Sequence, residues 1–185
     1  MKVLTWIICR LNIKKIFLIF NGLTFYIYWW VSLWGASVDK FFIGPLLAIS
    51  YFILHFILIT NKKKELKYML FCIVVGFMFE SILLYSGFLT YRGIISNSYN
   101  VVPLWPIILW AGYSLTVFHS FKYVKGNYFI SFILGAFLAP LIHISSNKLG
   151  AISFNYSFYI SYLILMVMWS VCFPLLNYAS VKIND

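Results

Sequence analysis

Four ionisable side chains lie inside long apolar stretches of this sequence, where an ionised group is costly. They are Glu80 and the histidines His55, His119 and His143. A carboxylate surrounded by hydrocarbon must be protonated, paired with a donor, or in contact with water. Glu80 is the most conspicuous of the four, because it is flanked on both sides by Phe, Met, Ile and Leu. It is therefore the first candidate for chemistry.

Proton transfer is the chemistry that Glu80 would support with a histidine partner. Imidazole takes up and releases a proton near neutral pH, and a neighbouring carboxylate stabilises the charged ring. The same two groups would also serve as a polar contact between helices, which contributes about 0.6 kcal/mol on average in a membrane. The residue types alone leave both interpretations open.

Four further residues are predicted to contact a substrate. Trp105 and Trp110 are aromatic and lie in the same apolar stretch, so they would form walls of a pocket. His119 is followed by Lys122, a combination that would bind a lipid phosphate or simply mark a helix end at the membrane surface. Asn21 is expected to form a hydrogen bond between helices.

Metal and cofactor chemistry is not expected from the sequence. The acidic residues are only Asp39, Glu65, Glu80 and Asp185, and Glu65 stands within a lysine-rich segment that we interpret as a loop. His55 is interpreted as a packed interfacial histidine. The sequence contains no P-loop, no GxSxG and no HExxH motif. We therefore predict no metal site and no cofactor.

The elements that must position these residues are membrane helices. The chain is 63% hydrophobic and only 10% charged, whereas soluble domains are about 45–50% apolar and 25% charged. Six stretches approach the roughly 20 residues that a spanning helix needs. They predict an all-α transmembrane bundle with spans at about 16–34, 42–60, 68–89, 103–121, 128–146 and 158–178. Pro140 is expected to kink the fifth span.

The positive charges predict the orientation of this bundle. Eleven of the 14 basic residues fall in the N-terminal segment, the second and fourth loops and the tail, and only three fall on the other side. The positive-inside rule then places both termini in the cytoplasm. We divide the chain into an amphipathic lead-in (1–15), a six-helix domain (16–178) and a tail (179–185). The net charge of +10 suits anionic lipid headgroups, and we expect no nucleic-acid partner.

This orientation decides which groups can meet. The third and fifth spans both run outward, so Glu80 and His143 lie in the outer half of the bilayer. The second and fourth spans run inward, so His55 and His119 lie in the inner half. His143 is therefore the histidine whose depth matches Glu80, and the two are predicted to form the acid–base pair.

A series of short motifs resembles a known family. They are Val102-Pro103-Leu104-Trp105, Leu109-Trp110, His119-Ser120, Leu134-Gly135-Ala136, Pro140-Leu141 and Leu149-Gly150-Ala151. In order and spacing they resemble a bacterial inner-membrane family known only as a domain of unknown function, number 2878. The resemblance implies a small multi-pass protein of the bacterial inner membrane. Glu80, Trp105, Trp110 and His119 match its pattern, whereas Asn21 and His143 depart from it.

Three functions remain open at this point. The first is an enzyme that modifies a lipid or isoprenoid by acid–base chemistry at Glu80. The second is a lipid-binding or transport protein without chemistry. The third is a structural subunit, with a membrane-protein partner or a second copy of the chain, in which Glu80 only holds helices together.

Overall fold

The chain folds into a bundle of helices closed at one end by a short pair of strands. The computed structural model describes the backbone of residues 2–93 and 101–183, and the side chains of residues 15–93 and 101–183. The helices are α1 (Lys2–Ser37), α2 (Ile43–Leu58), α3 (Lys62–Tyr85), α4 (Leu104–Val117), α5 (Tyr128–Phe137), α6 (Pro140–Leu149) and α7 (Phe158–Lys182), and the strands are β1 (Leu89–Tyr91) and β2 (Ile152–Phe154).

Apolar side chains cover the outside of this bundle, as in a protein surrounded by lipid. Large hydrophobic residues such as Ile57, Phe129 and Val171 are mostly exposed, whereas Glu80, His55 and Asn177 are buried. Four helical segments are long and apolar enough to cross a membrane: Lys15–Ser37, Lys62–Tyr85, Tyr128–Leu149 and Phe158–Lys182. This distribution confirms the prediction of an all-α, membrane-type fold.

Two of the six predicted spans are shorter than a bilayer requires. α2 has 16 residues and α4 has 14, so at 1.5 Å per residue they rise about 24 and 21 Å, against a hydrocarbon core of about 30 Å. They nevertheless run antiparallel to their neighbours, because the end of α2, the start of α3 and the residues after α4 meet at one end of the bundle.

Small residues and one proline set the packing of the second half of the chain. Gly135 of α5 lies against the backbone carbonyl of Trp169 in α7, where a Cβ atom would overlap that oxygen. Pro140 begins α6 at its first turn, where its missing N–H is tolerated. The predicted kink is therefore a break between α5 and α6.

The strand pair was not predicted from the sequence. β1 and β2 are antiparallel, with Leu89 opposite Phe154 and Tyr91 opposite Ile152. β1 lies where the predicted third span (68–89) ends, and β2 lies between the predicted fifth and sixth spans. Both have only three residues, too few for a clear alternating pattern. Their pairing joins the ends of α3 and α6 at one end of the bundle.

Several predicted boundaries are corrected by the structure. α1 already begins at Lys2, so the lead-in is helical. Its amphipathic character concerns side chains outside the described residues and stays a prediction. α4 ends at Val117, which leaves His119 in the turn that follows. α3 begins at Lys62, where the Asn61 side chain accepts a hydrogen bond from the backbone of Lys64. Glu65 is therefore a buried helical residue, and its interpretation as a loop residue was wrong.

Candidate functional site

Glu80 lies at the centre of a buried cluster of hydrogen-bond donors. Its Oε1 accepts a bond from Trp110 Nε1 at 2.8 Å, and its Oε2 lies 3.2 Å from His143 Nε2. The Tyr91 hydroxyl also donates to Oε2. All four side chains are at least nine-tenths buried. Three donors on one carboxylate favour its ionised form, because an ionised carboxylate only accepts.

Each donor reaches Glu80 because of its own structural element. Trp110 lies on α4 and packs its ring against Gly76, one turn before Glu80 on α3, where any Cβ atom would overlap the indole. Tyr91 ends β1, whose pairing with β2 holds it beside α3. His143 lies on the buried face of α6, which begins at Pro140. Three separate parts of the chain thus converge on one carboxylate.

The two members of the pair differ in how fully they are hydrogen-bonded. Both oxygens of Glu80 are engaged, by Trp110, Tyr91 and His143. His143 presents Nε2 to Glu80, and its Nδ1 is buried without a hydrogen-bond partner among the described residues. A carboxylate that holds one nitrogen of a histidine leaves the other nitrogen to exchange a proton, as in the histidine–carboxylate pairs of hydrolases.

A cavity of about 230 Å³ adjoins the pair. Its walls are almost entirely apolar, and they come from α1, α3, α4, α5, α6 and α7; they include Phe25, Trp29, Glu80, Trp110, Leu138, His143 and Trp169. Trp169 stacks on Trp110 with ring centres 5.1 Å apart. Leu138 is more than half exposed, so the cavity reaches the outer face of the bundle, where lipid would lie.

A second, much smaller cavity lies on the other side of the pair. It measures about 20 Å³ and is lined by Glu80, Tyr91, Trp105, His143 and Ser146, among others. This volume is sufficient for one water molecule. Trp105 forms a wall of this cavity and donates its indole N–H to the carbonyl of Arg92 at 3.1 Å. Trp105 thus shapes the site without bonding Glu80.

Tyr91 remains a neutral donor over a wide pH range. Burial, together with the nearby charge of Glu80, raises the pKa of Tyr91 well above its ordinary value. Its hydroxyl therefore keeps the proton that it donates to Glu80 at every physiological pH.

A second polar cluster lies at the opposite end of α3. Glu65 Oε2 is 2.7 Å from His55 Nε2, and Glu65 Oε1 is 2.9 Å from His119 Nε2. Asn21 contacts His55 Nδ1 at 3.4 Å and accepts a hydrogen bond from Ser120 at 2.6 Å. Glu65 precedes Glu80 by fifteen positions, so the two clusters lie about 22 Å apart along the helix.

The predicted site residues therefore divide between two ends of the bundle. Glu80, His143, Trp105 and Trp110 are brought together, whereas Asn21 and His119 belong to the second cluster. Asn21 and His119 are therefore not neighbours of Glu80, and their role as substrate contacts stays a prediction. Sequence reasoning missed Tyr91, Trp169, Glu65 and the polar contact of His55. For Glu65 a signal was present, since Asn61 and the acidic residue four positions later form a typical helix start.

The chain was compared with known proteins. The model of the family described as "Protein of unknown function (DUF2878)" matches residues 18–175, which include both polar clusters. No curated protein and no solved structure matches the chain. The resemblance inferred from the motifs around Trp105, Trp110 and His119 is thus confirmed, and the chain belongs to the DUF2878 family of proteins of unknown function.

Proposed function

We propose that this chain is an enzyme of the bacterial inner membrane that acts on a lipid or isoprenoid by acid–base chemistry at His143 and Glu80. The substrate would place an apolar chain in the 230 Å³ cavity and a polar group beside the histidine. One observation carries the proposal: the wall of an otherwise apolar cavity contains a buried histidine whose Nδ1 has no hydrogen-bond partner among the described residues. Such an atom is usually satisfied by a ligand or a water molecule.

The proposed proton transfer uses both members of the pair. His143 Nδ1 takes a proton from a hydroxyl or another acidic group of the substrate, and the imidazolium ring is stabilised by Glu80. The ring then returns that proton to the product, so neither residue changes in the cycle. Tyr91 and Trp110 hold the carboxylate in place and prevent it from taking the proton itself.

The membrane orientation is part of the same proposal. We place six spans in the bilayer with both termini in the cytoplasm, counting α5 and α6 together as one span and allowing α2 and α4 to be short. The basic loops support this orientation. Glu80 and His143 then lie in the outer half of the bilayer, in reach of lipid that enters beside Leu138.

A comparative lipid analysis tests this function. Bacteria that lack the chain would be complemented with the wild type, His143→Gln or Ser145→Ala. Gln keeps an amide near the position of Nε2 but has no group that exchanges protons near neutral pH. Ser145 is partly exposed on the same helix, and its hydroxyl donates to the backbone carbonyl of Leu141, which makes Ser145→Ala a matched control.

The expected result is a lipid class that changes on deletion, that His143→Gln fails to restore, and that Ser145→Ala restores, at equal protein levels. If deletion changes lipids but His143→Gln restores them fully, the histidine is no catalyst and the cavity only binds lipid. If deletion changes no lipid, the structural-subunit interpretation, with Glu80 as a contact between helices, replaces the enzyme.

A further inference from the structure

We propose that His55, Glu65 and His119 form a binding site for a divalent transition-metal ion, separate from the site at Glu80. The three side chains come from α2, from α3 and from the turn after α4. Their ligand atoms, two imidazole nitrogens and a carboxylate oxygen, all lie within 4.8 Å of one another. From sequence alone we expected no metal site, because Glu65 was assigned to a loop.

The types of atom favour a transition metal. Two histidines and one carboxylate are the ligand set of many zinc enzymes, and imidazole also suits iron, nickel and copper. Ca²⁺ and Mg²⁺ prefer oxygen ligands. Positive charges surround the cluster: Lys62, Lys63 and Lys64 lie in the first turn of α3, and Lys122 and Lys125 lie in the segment after α4. Because these lysines repel cations, electrostatic attraction alone would not hold an ion here. Binding therefore depends on direct coordination by the two imidazoles.

Coordination requires the ligand atoms to draw together. Two ligand atoms bound tetrahedrally at about 2.0–2.1 Å from zinc lie roughly 3.3 Å apart. The contacts of Glu65 with the two histidines are 2.7 and 2.9 Å, but they involve different carboxylate oxygens. The three ligand atoms lie within 4.8 Å of one another, so the widest pair must close by at most about 1.5 Å. His55 and Glu65 are almost fully buried, while the side chain of His119 is 18% exposed. The exposed side of His119 provides a route for the ion.

Asn21 faces the second ring nitrogen of His55. Its amide nitrogen donates to the carbonyl of Leu115 and to the Tyr51 hydroxyl, both at 3.1 Å, and lies 3.4 Å from His55 Nδ1, while its oxygen accepts from Ser120. When the ring is neutral and its Nε2–H donates to the Glu65 carboxylate, Nδ1 carries no proton. Metal at Nε2 moves the ring proton to Nδ1, which then requires an acceptor at position 21. Such outer partners change metal affinity by about 10–100-fold.

This dependence provides a variant that separates metal binding from a structural role. Asn21→Asp places an acceptor beside Nδ1–H and adds a negative charge that offsets the ion. It should therefore tighten metal binding by about tenfold or more. In a purely structural cluster, the same change only buries an additional charge beside Glu65, so it weakens the protein whether or not metal is present.

The experiment uses the full chain, purified in detergent, stripped with a chelator and titrated with Co²⁺. Coordination by two imidazoles and a carboxylate gives visible absorption bands, and Zn²⁺ should abolish them by competition. We expect one bound ion per wild-type chain and at least about tenfold weaker binding by His55→Gln, Glu65→Gln and His119→Gln. His143→Gln, which alters the other buried histidine, should bind Co²⁺ like the wild type.

The outcome for the wild type and Asn21→Asp decides the proposal, even if one of the ligand variants fails to fold. Visible bands for the wild type and tighter binding by Asn21→Asp support it. The proposal is overturned if folded wild-type protein shows no visible bands. It is also overturned if His143→Gln weakens Co²⁺ binding as much as His119→Gln does. In those cases the cluster only holds α2, α3 and the end of α4 together.

Discussion

Replacing Glu80 tests whether three donors depend on one carboxylate. Glu80→Leu keeps a side chain of similar volume but removes both acceptor oxygens. The indole of Trp110, the hydroxyl of Tyr91 and the imidazole of His143 would then be buried without this partner. Glu80→Gln keeps one oxygen for Trp110, and its amide N–H groups can donate to His143 or Tyr91 after the imidazole changes tautomer.

The expected loss of stability follows from the number of bonds. Side-chain hydrogen bonds in membrane proteins contribute about 0.6 kcal/mol each on average, and a donor left unsatisfied in a buried site costs about 1–3 kcal/mol. With three donors affected, Glu80→Leu should lower the free energy of unfolding by at least about 2 kcal/mol. Glu80→Gln should lower it by about 1 kcal/mol, because one or two bonds persist.

Equilibrium unfolding in mixed detergent–SDS micelles measures these losses through tryptophan fluorescence. Ser145→Ala on α6 serves as the reference, because Ser145 is only partly buried and substitutions outside the core usually change stability by no more than about 0.5 kcal/mol. If Glu80→Leu unfolds at the same SDS fraction as Ser145→Ala, the three donors do not rely on Glu80. The assignment of Glu80 as the ionised centre of the site would then be wrong.

Three further predictions address the site and the orientation. Gly76→Ala should push the Trp110 ring away from Glu80 and destabilise the bundle by about 1–3 kcal/mol in the same unfolding assay; wild-type stability would contradict this packing. Because burial raises the pKa of Tyr91, the unfolded state loses the phenolic proton first and stability falls above about pH 10. Tyr91→Phe should therefore show a shallower alkaline decline than the wild type, and an equal decline would count against the buried hydroxyl. For orientation, a cysteine at exposed Tyr123 should react with an impermeant thiol reagent only after cells are opened, whereas one at Asp39 should react in intact cells; the reverse pattern would invert the topology.

The fold class and the central pair were accessible from the sequence for identifiable reasons. Composition predicted membrane helices, and the direction of each span predicted that Glu80 and His143 share a depth. Their contact at 3.2 Å agrees with that argument. Trp110 was singled out as a wall of the pocket, and it also donates a hydrogen bond to Glu80.

The remaining features depend on contacts that no local pattern encodes. Tyr91 reaches Glu80 only because β1 pairs with β2, about sixty residues later in the chain. Glu65 is surrounded by lysines in the sequence, and its local composition indicates solvent. Only the packing of α2, α3 and α4 shows that it lies between two histidines. The packing of distant segments, and not the local composition, therefore determines where Glu65 lies.

The spacing of the donors along the chain has a consequence for biosynthesis. Tyr91, Trp110 and His143 follow Glu80 by 11, 30 and 63 residues. At a synthesis rate of about 5–20 residues per second, the last donor emerges several seconds after the carboxyl group. Glu80 therefore enters the translocon without its full set of partners, and the protonated acid is the cheaper form to insert. The set of hydrogen-bond partners of Glu80 is complete only when α6 has been synthesised, and α7 still follows it in the chain.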